Sequence, residues 1–269
     1  MARYEHLWER VRYSAPIDFI LDSHIVEYDI AKANISILKD KGIINQAEYD
    51  RYYAMDKHSR EVAIGLMQLR VNGVSATLKQ GITEARKRLF ELLNLDETSV
   101  LSINNDAVYC IFNGLSAEPD IIDITSNVKF IKKGVYRSYY RFGRNKEFFY
   151  NYDPITKVEL LDIKGLGDQS ITLHKNFMVK VLKDLFYIAI TQGPRIALES
   201  LKSFYYKYIS MELPIEYYRR LDSESLYDLK LSTPYSSYKA NNLMIEDKRL
   251  IDPSYNAIVL NSLAKYYTR

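Results

Sequence analysis

Two aspartates are the residues of this chain whose type and position best suit chemistry. Asp29 follows the apolar, strand-like run Ile25-Val26-Glu27-Tyr28, and Asp106 ends the turn Asn104-Asn105-Asp106 between two apolar runs. Carboxylates on neighbouring strands can hold divalent metal ions for phosphoryl transfer, in which one ion activates the attacking hydroxyl and another stabilises the departing pyrophosphate. A second interpretation stays open, in which Asp29 caps the following helix and Asp106 is an ordinary turn residue.

The segment between the aspartates is predicted to be helical. A first helical pattern covers residues 46–69 and places Val62, Leu66 and Leu69 on one face. A second covers residues 82–93. There the spacing turns four apolar residues inward (Ala85, Leu89, Leu92, Leu93) and two cations outward (Arg86, Lys87).

Strand-like segments dominate residues 100–163. Apolar runs on both sides of Asn104-Asn105-Asp106 predict a β-hairpin, and further strands are predicted at 127–131, 135–142, 147–152 and 158–163. Residues 1–22 are expected to form an amphipathic lead-in with helical spacing. From His174 to about Met211 the pattern is helical, with a break near Gly193-Pro194. This order predicts an α+β fold in which helices back an antiparallel sheet.

Composition narrows the class of protein. The chain has 269 residues, of which 47% are hydrophobic, enough to fill a core. No apolar run reaches the roughly 18 residues that a membrane span needs, and the polar N-terminus leads into no signal-peptide core. A cytoplasmic location is therefore expected. The small size suggests a viral or mobile-element source, and for a viral source the location would be the host cytoplasm. The lone Cys110 is expected in the core, and the four histidines lack metal-ligand spacing.

Positive charge is concentrated in one stretch, although the net charge of the chain is only +3. The stretch contains no acid, and its cations are Lys129, Lys132, Lys133, Arg137, Arg141, Arg144 and Lys146. Aromatic residues are interleaved with these cations. Cations that alternate along strands can line a groove and neutralise backbone phosphates. A solvated strand face explains the same pattern equally well.

The residues around the aspartates resemble motifs of the family B DNA polymerases. The segment 29–38 resembles the first palm motif, an Asp followed by a Ser-Leu-Tyr-Pro-Ser-Ile-type stretch. Asn104-Asn105-Asp106 resembles the family's Asp-Thr-Asp hairpin. Between them, residues 68–73 fall where the family has its fingers helix and an Asn-Ser-x-Tyr-Gly element, and residues 82–93 resemble the palm helix that precedes the hairpin.

The resemblance continues downstream in the same order. Lys132-Lys133-Gly134-Val135-Tyr136 is similar to the family's Lys-Lys-x-Tyr segment, which contacts the primer–template, but has one extra residue. Asp162-Ile163-Lys164-Gly165-Leu166 is similar to its Lys-Gly element, and the helical region 174–220 resembles the start of a thumb. The similarity spans about residues 22–220.

The resemblance implies a polymerase-like palm with very short fingers and a helical thumb. The implied domains are an N-terminal lead-in at 1–22, a palm at 23–175 with reduced fingers at about 45–80, a thumb-like region at 176–232, and a C-terminal tail at 233–269 as a docking segment. The implied activity is that of a DNA-directed DNA polymerase, a nucleotidyltransferase that extends a primer as one subunit of a split viral replicative polymerase. Its partners would be primer–template nucleic acid, nucleoside triphosphates and polymerase subunits on separate chains, with no membrane.

The same resemblance assigns roles to individual residues. Two Mg²⁺ ions would be bound by Asp29, Asp106 and the backbone carbonyl of Ile30. The incoming triphosphate would be held by Asn34 and by Lys57, Arg60 or Arg70, which could substitute for the family's fingers lysine. These three cations could equally form an ordinary solvated helix face. The primer–template would be held by Lys132, Lys133, Tyr136, Lys164 and Gly165.

Three positions depart from the family pattern and keep other functions open. Asn104 replaces the first Asp of the hairpin motif, and the catalytic lysine of the fingers falls on Gln68. Both departures favour an alternative, a non-catalytic nucleic-acid-binding or assembly subunit with a polymerase-like fold. Asn34 replaces the tyrosine that excludes ribose 2′-OH groups, which leaves RNA synthesis open as well.

Overall fold

The fold is α+β with antiparallel sheets, as the sequence predicts. The computed structural model describes residues 6–112, 118–143, 146–164, 172–210, 212 and 213, without the side chains of residues 142, 143 and 172–178. Gly165, Arg144, the tail at 233–269 and residues 214–232 of the expected thumb lie outside these ranges. Within them, no helix is long and apolar enough to cross a membrane.

The described elements follow one another along the chain after a short 3₁₀ turn at Leu7–Glu9. The strands are β1 (Arg12–Ser14), β2 (Phe19–Ile20), β3 (Ile25–Ile30), β4 (Val100–Asn104), β5 (Ala107–Ile111), β6 (Ile121–Asp123), β7 (Lys129–Tyr136), β8 (Ser138–Gly143), β9 (Lys146–Tyr152) and β10 (Glu159–Lys164). The helices are α1 (Ala33–Asp40), α2 (Gln46–Ala54), α3 (Lys57–Arg70), α4 (Val74–Leu93), α5 (Thr172–Gln192) and α6 (Pro194–Ile209). The chain divides into two compact units, residues 1–17 with 23–136 and residues 18–22 with 137–269.

The first unit is built on an antiparallel sheet of six strands in the order β1-β4-β5-β3-β7-β6. Its core is apolar and combines strand residues such as Val26, Tyr28 and Ile30 with residues of α1 and α4 such as Ile37 and Leu89. Successive side chains of a strand point to opposite faces. Because the even-numbered residues of β3 enter this core, Glu27 and Asp29 belong to the other face of the sheet.

Close packing of α1 on α4 completes the helical layer of this unit. A Cβ atom placed on Gly81 of α4 would lie 2.3 Å from the Cγ2 atom of Ile37. The absence of a side chain at Gly81 therefore lets the two helices approach each other. This packing supports the strand β3, which leads directly into α1.

The second unit is a smaller sheet covered by two helices. Its strands lie in the order β10-β9-β8-β2, and all pairings are antiparallel. Aromatic residues of the sheet, including Phe148 and Tyr150, pack with Leu182 and Phe186 of α5. The predicted break between the helices is confirmed, since Gly193 has a φ of 101° and Pro194 is the first residue of α6.

Several local predictions were wrong because distant pairing overrides local patterns. The lead-in contains β1 and β2, which pair with β4 and β8, instead of an extended helix. The strands expected at 127–131 and 135–142 are a continuous β7 and a separate β8, with the break at Arg137. Leu92 was expected to point inward but is 45% exposed.

The apolar face predicted on α3 is exposed to solvent. Val62, Leu66 and Leu69 are 50%, 44% and 84% exposed, respectively. The core contact of α3 is made instead by Ile64, which is 1% exposed. The face of α3 that carries these three residues therefore does not enter the core of its unit.

Candidate active site

The sheet register places the two aspartates side by side. Asp29 lies in β3 opposite Ala107 of the neighbouring strand β5, and Asp106 immediately precedes Ala107 in the β4–β5 turn. Asn105 adopts a left-handed conformation with φ of 56°, which helps to close this tight turn. Helix α1 begins only at Ala33, and its N-cap residue is Lys32. Asp29 is therefore a strand residue, and the interpretation as a helix cap was wrong.

The contact between the aspartates changes the protonation of Asp106. The pKa of Asp106 is raised to about 6, mainly by burial and in addition by the charge and the side-chain hydrogen bond of Asp29. The charge of Lys133 acts in the opposite direction. Burial and a neighbouring negative charge destabilise the ionised form of a carboxyl group. Carboxyl groups with a raised pKa are common in functional sites.

A buried arginine supports the turn that carries Asp106. Arg86 of α4 is 1% exposed, although the sequence prediction turned it outward. Its Nε donates to the carbonyl of Trp8 (2.9 Å) and its Nη1 to the carbonyl of Asn105 (2.6 Å). Burial lowers the pKa of Arg86 to about 10 and the charge of Asp106 opposes that change, so the guanidinium remains charged at neutral pH. Residues four apart share one face of a helix, so the apolar Phe90 could have indicated from the sequence that Arg86 points inward.

Lys133 provides the ion pair of the site. Its Nζ contacts the Oδ2 atom of Asp29, and its side chain is 52% exposed against 15% for that of Asp29. The neighbouring Lys132 instead pairs with Asp120 at 2.6 Å. The two lysines that the sequence grouped together thus have different partners, and Lys133 is the one that reaches the aspartates.

A buried glutamate next to the pair was not predicted from the sequence. Glu27 is 4% exposed and accepts hydrogen bonds from the hydroxyls of Tyr109 and Tyr136, both at 2.9 Å. A Cβ atom on Gly134 would lie 3.0 Å from the Tyr136 ring, so this glycine leaves room for the ring. Tyr136 is 3% exposed. This position differs from the exposed one that its expected contact with nucleic acid would need.

The residues expected to hold a triphosphate are distributed over two helices. Asn34 is half-buried in the first turn of α1, just beyond β3. On α3, the Lys57 side chain is 81% exposed and 3.9 Å from Glu61, and Arg60 donates to the carbonyl of Met55 at 3.1 Å. Arg70 is the last residue of α3 and is exposed. Among the described residues, no contact joins the three cations of α3 to the aspartates.

An unpredicted cation lies closer in sequence to Asp29. Lys32 has a left-handed backbone with φ of 49° between β3 and α1. Its Nζ lies 2.9 Å from the centre of the Tyr53 ring and donates to the carbonyl of Tyr53 at 3.1 Å. This contact ties α2 to the turn that follows Asp29.

Acids from distant parts of the sequence pair with much of the basic stretch. Arg137 forms two hydrogen bonds of 2.8 Å with the carboxylate of Asp22, and Arg141 pairs with Asp18. Outside the stretch, Lys164, which was expected to contact nucleic acid, pairs with its near neighbour Asp162 at 2.8 Å. Among the exposed cations of the stretch is Lys129. The stretch is therefore less basic in the folded chain than its composition indicates.

The chemistry of the aspartate pair fits Mg²⁺. This ion is commonly bound by one or two carboxylates, with water and substrate phosphates as further ligands. In the described part of the chain, no group of three or more His, Cys, Asp or Glu residues is placed to hold a metal ion. Asp29 and Asp106 would therefore need further ligands of another kind, such as the backbone carbonyl of Ile30.

A comparison with protein families identifies the relatives of this chain. Residues 1–264 match the family model described as Bacteriophage PBS1 gene 130 protein. The chain belongs to this family. Membership of the gene 130 family points to a phage, in agreement with the viral source expected from the size. No curated protein matches the chain.

Proposed function

We propose that this member of the gene 130 family is a template-directed nucleotidyltransferase that resembles family B DNA polymerases and extends a primer by two-metal phosphoryl transfer. The observation that supports the proposal most strongly is the contact between Asp29 of β3 and Asp106 in the turn that leads into the adjacent strand β5. These strands belong to an antiparallel sheet with helices packed on its other face. The same arrangement of carboxylates is what a two-metal site requires.

In this proposal each residue of the site has a separate role. Asp29, Asp106 and the Ile30 carbonyl would hold two Mg²⁺ ions, which when bound activate the attacking hydroxyl and stabilise the leaving pyrophosphate. Because the pKa of Asp106 is about 6, this carboxyl is mostly ionised at neutral pH and ready to act as a ligand. Arg86 holds the carbonyl of Asn105 and so fixes the turn that presents Asp106.

Substrate binding in this proposal uses the cations around the palm. The triphosphate would contact Asn34, Lys57, Arg60 and Arg70, and the primer–template would contact Lys132, Lys133, Lys164 and Gly165. The buried Tyr136 is left out of this set. Charge-assisted contacts of lysine and arginine with phosphate are strong, which suits both tasks. The very short fingers suit a subunit of a split phage polymerase, in which other chains supply the missing parts. Asn34 makes RNA synthesis a variant of the proposal, and comparing incorporation of ribo- and deoxyribonucleotides decides between them.

Primer extension with Mg²⁺ tests the proposal directly. Asp106→Ala is expected to lower the extension rate about a hundredfold or more, because a metal ligand is lost. A suitable control is Asp123→Ala, which removes an exposed carboxylate from the edge strand β6 of the same sheet. Equal rates for the wild type and Asp106→Ala would remove Asp106 from the mechanism.

A second candidate function is that of a non-catalytic assembly subunit that binds nucleic acid. The exposed row of Val62, Leu66 and Leu69 on α3 favours it, because contiguous exposed apolar side chains often mark interaction sites. Asn104 in place of an aspartate favours it as well. DNA binding that persists without Mn²⁺ binding or primer extension would support this candidate over the enzyme.

A further inference from the structure

A β-bulge directs Lys133 to the aspartate pair. In the pairing of β3 with β7, Glu27 lies opposite Gly134 and Tyr28 lies opposite Lys132, so Lys133 is an extra residue on β7. Bulges of this kind redirect a side chain and are frequent next to active sites. Here the redirected side chain places Nζ on the Oδ2 atom of Asp29.

The charge of Lys133 acts on both aspartates. Its contact with Asp29 is an ion pair, and its charge lowers the pKa of Asp106 against the effect of burial. Burial opposes the charged form of Lys133 itself, but the hydrogen bond and charge of Asp29 raise its pKa overall. Lys133 is therefore a cation at neutral pH and occupies part of the space in which a divalent ion would contact Asp29.

The side chain of Lys133 can leave this position without disturbing the sheet. About half of it is exposed, and its ammonium group lies at the end of a flexible four-carbon stem. Asp29, in contrast, is a residue of the central strand β3 and its side chain is largely buried. An exchange of cations at Asp29 therefore needs only the lysine to move.

We propose that Lys133 is an exchangeable counter-ion, which pairs with Asp29 in the metal-free protein and must be displaced from it when a divalent ion binds. The inference rests on the proposed metal-binding role of the pair. It has two consequences. Lys133 lowers the affinity of the site for metal, and metal binding releases an ammonium group that can contact a phosphate of the substrate.

Isothermal calorimetry with Mn²⁺, in the absence of nucleotide and nucleic acid, tests the exchange. Lys133→Met keeps most of the side-chain volume and removes the charge, and we expect it to tighten Mn²⁺ binding about fivefold or more, the equivalent of one partly exposed ion pair. Lys129→Met is the matched control, because it removes the same charge from an exposed position on the same strand. Its Mn²⁺ affinity should stay within about twofold of the wild type. Thermal unfolding followed by circular dichroism verifies that each variant is folded.

The outcomes separate this inference from the proposed function. If the wild type binds Mn²⁺ and Lys133→Met binds it equally well or more weakly, the exchange is overturned and the metal site remains. Equal tightening in Lys133→Met and Lys129→Met would also overturn it, because the effect would then be one of general charge. Binding seen only in Lys133→Met would support the exchange strongly. Absence of binding in the wild type and in Lys133→Met would overturn the metal site and the exchange together.

A further variant tests whether the charge of Lys133 causes the effect. Lys133→Arg, which retains the charge, should bind Mn²⁺ no more tightly than the wild type, and tighter binding would contradict the exchange.

Discussion

Carboxylates are compensated differently at two places in this molecule. In the second unit, Asp18, Asp22 and Asp162 each pair with a cation, respectively Arg141, Arg137 and Lys164. In the first unit, Asp29 and Asp106 lie together, Lys133 contacts Asp29, and no ion pair to Asp106 occurs among the described residues. One-to-one pairs satisfy local charge, whereas Asp29 and Asp106 share Lys133 and the buried Arg86, and the pKa of Asp106 is still raised. This difference is the basis for our proposal that the second group binds a cation.

Removing the buried cation Arg86, which supports the turn of Asp106, should have the largest effect on stability. Arg86→Met leaves the carbonyls of Trp8 and Asn105 without these donors and takes a positive charge away from Asp106. We expect the free energy of unfolding to fall by about 3 kcal/mol in chemical denaturation. The exposed neighbour Lys87 provides the control, and Lys87→Met should change stability by less than about 0.5 kcal/mol. Similar values for both variants would show that Arg86 does not support the turn.

Neutralising Asp106 should stabilise the protein. Its folded pKa of about 6 lies above the unfolded value of about 3.9, so the folded state binds the proton more tightly and loses stability as the pH rises through about 6. Asp106→Asn removes this loss and should raise the free energy of unfolding by about 1–3 kcal/mol near pH 8. The gain should disappear below about pH 4, where both states of the wild type are protonated. Denaturation at several pH values measures it, and destabilisation near pH 8 would contradict the uncompensated charge.

The same substitution at a paired carboxylate should act in the opposite direction. Asp22→Asn breaks the two-fold contact with Arg137, in which both side chains are only about one-third exposed. We expect a loss of about 1 kcal/mol at neutral pH, measured under the same conditions as Asp106→Asn. A gain of stability at Asp22 would erase the distinction between paired and shared carboxylates.

The sequence predicted the local parts of this structure better than the distant ones. The hairpin around Asn104-Asn105-Asp106 and the break at Gly193-Pro194 depend on neighbouring residues and were predicted. The acids that neutralise the basic stretch were not, because Asp18 and Asp22 lie more than a hundred residues before their partners along the chain. Local composition carries no information about such pairs.

In the candidate site, too, local motifs were predicted and contacts between distant residues were not. Resemblance to polymerase motifs selected Asp29 and Asp106, whereas the bulge at Lys133 depends on the pairing of β7 with β3 and was not predicted. The buried positions of Arg86 and Glu27 were missed, since charged residues are usually exposed and only tertiary contacts stabilise these two. The polymerase activity and the individual substrate contacts stay predictions.

Calorimetric titration of Mn²⁺ into the wild type, Asp29→Asn and Asp106→Asn tests the central claim most directly. The account predicts binding by the wild type near pH 7.5 and a loss of about tenfold or more in affinity for either variant, because each carboxylate is a ligand. Asp22→Asn serves as the paired-carboxylate control and should bind as the wild type does. Equal Mn²⁺ affinity in all four proteins, or no binding in any of them, would contradict a metal site at Asp29 and Asp106.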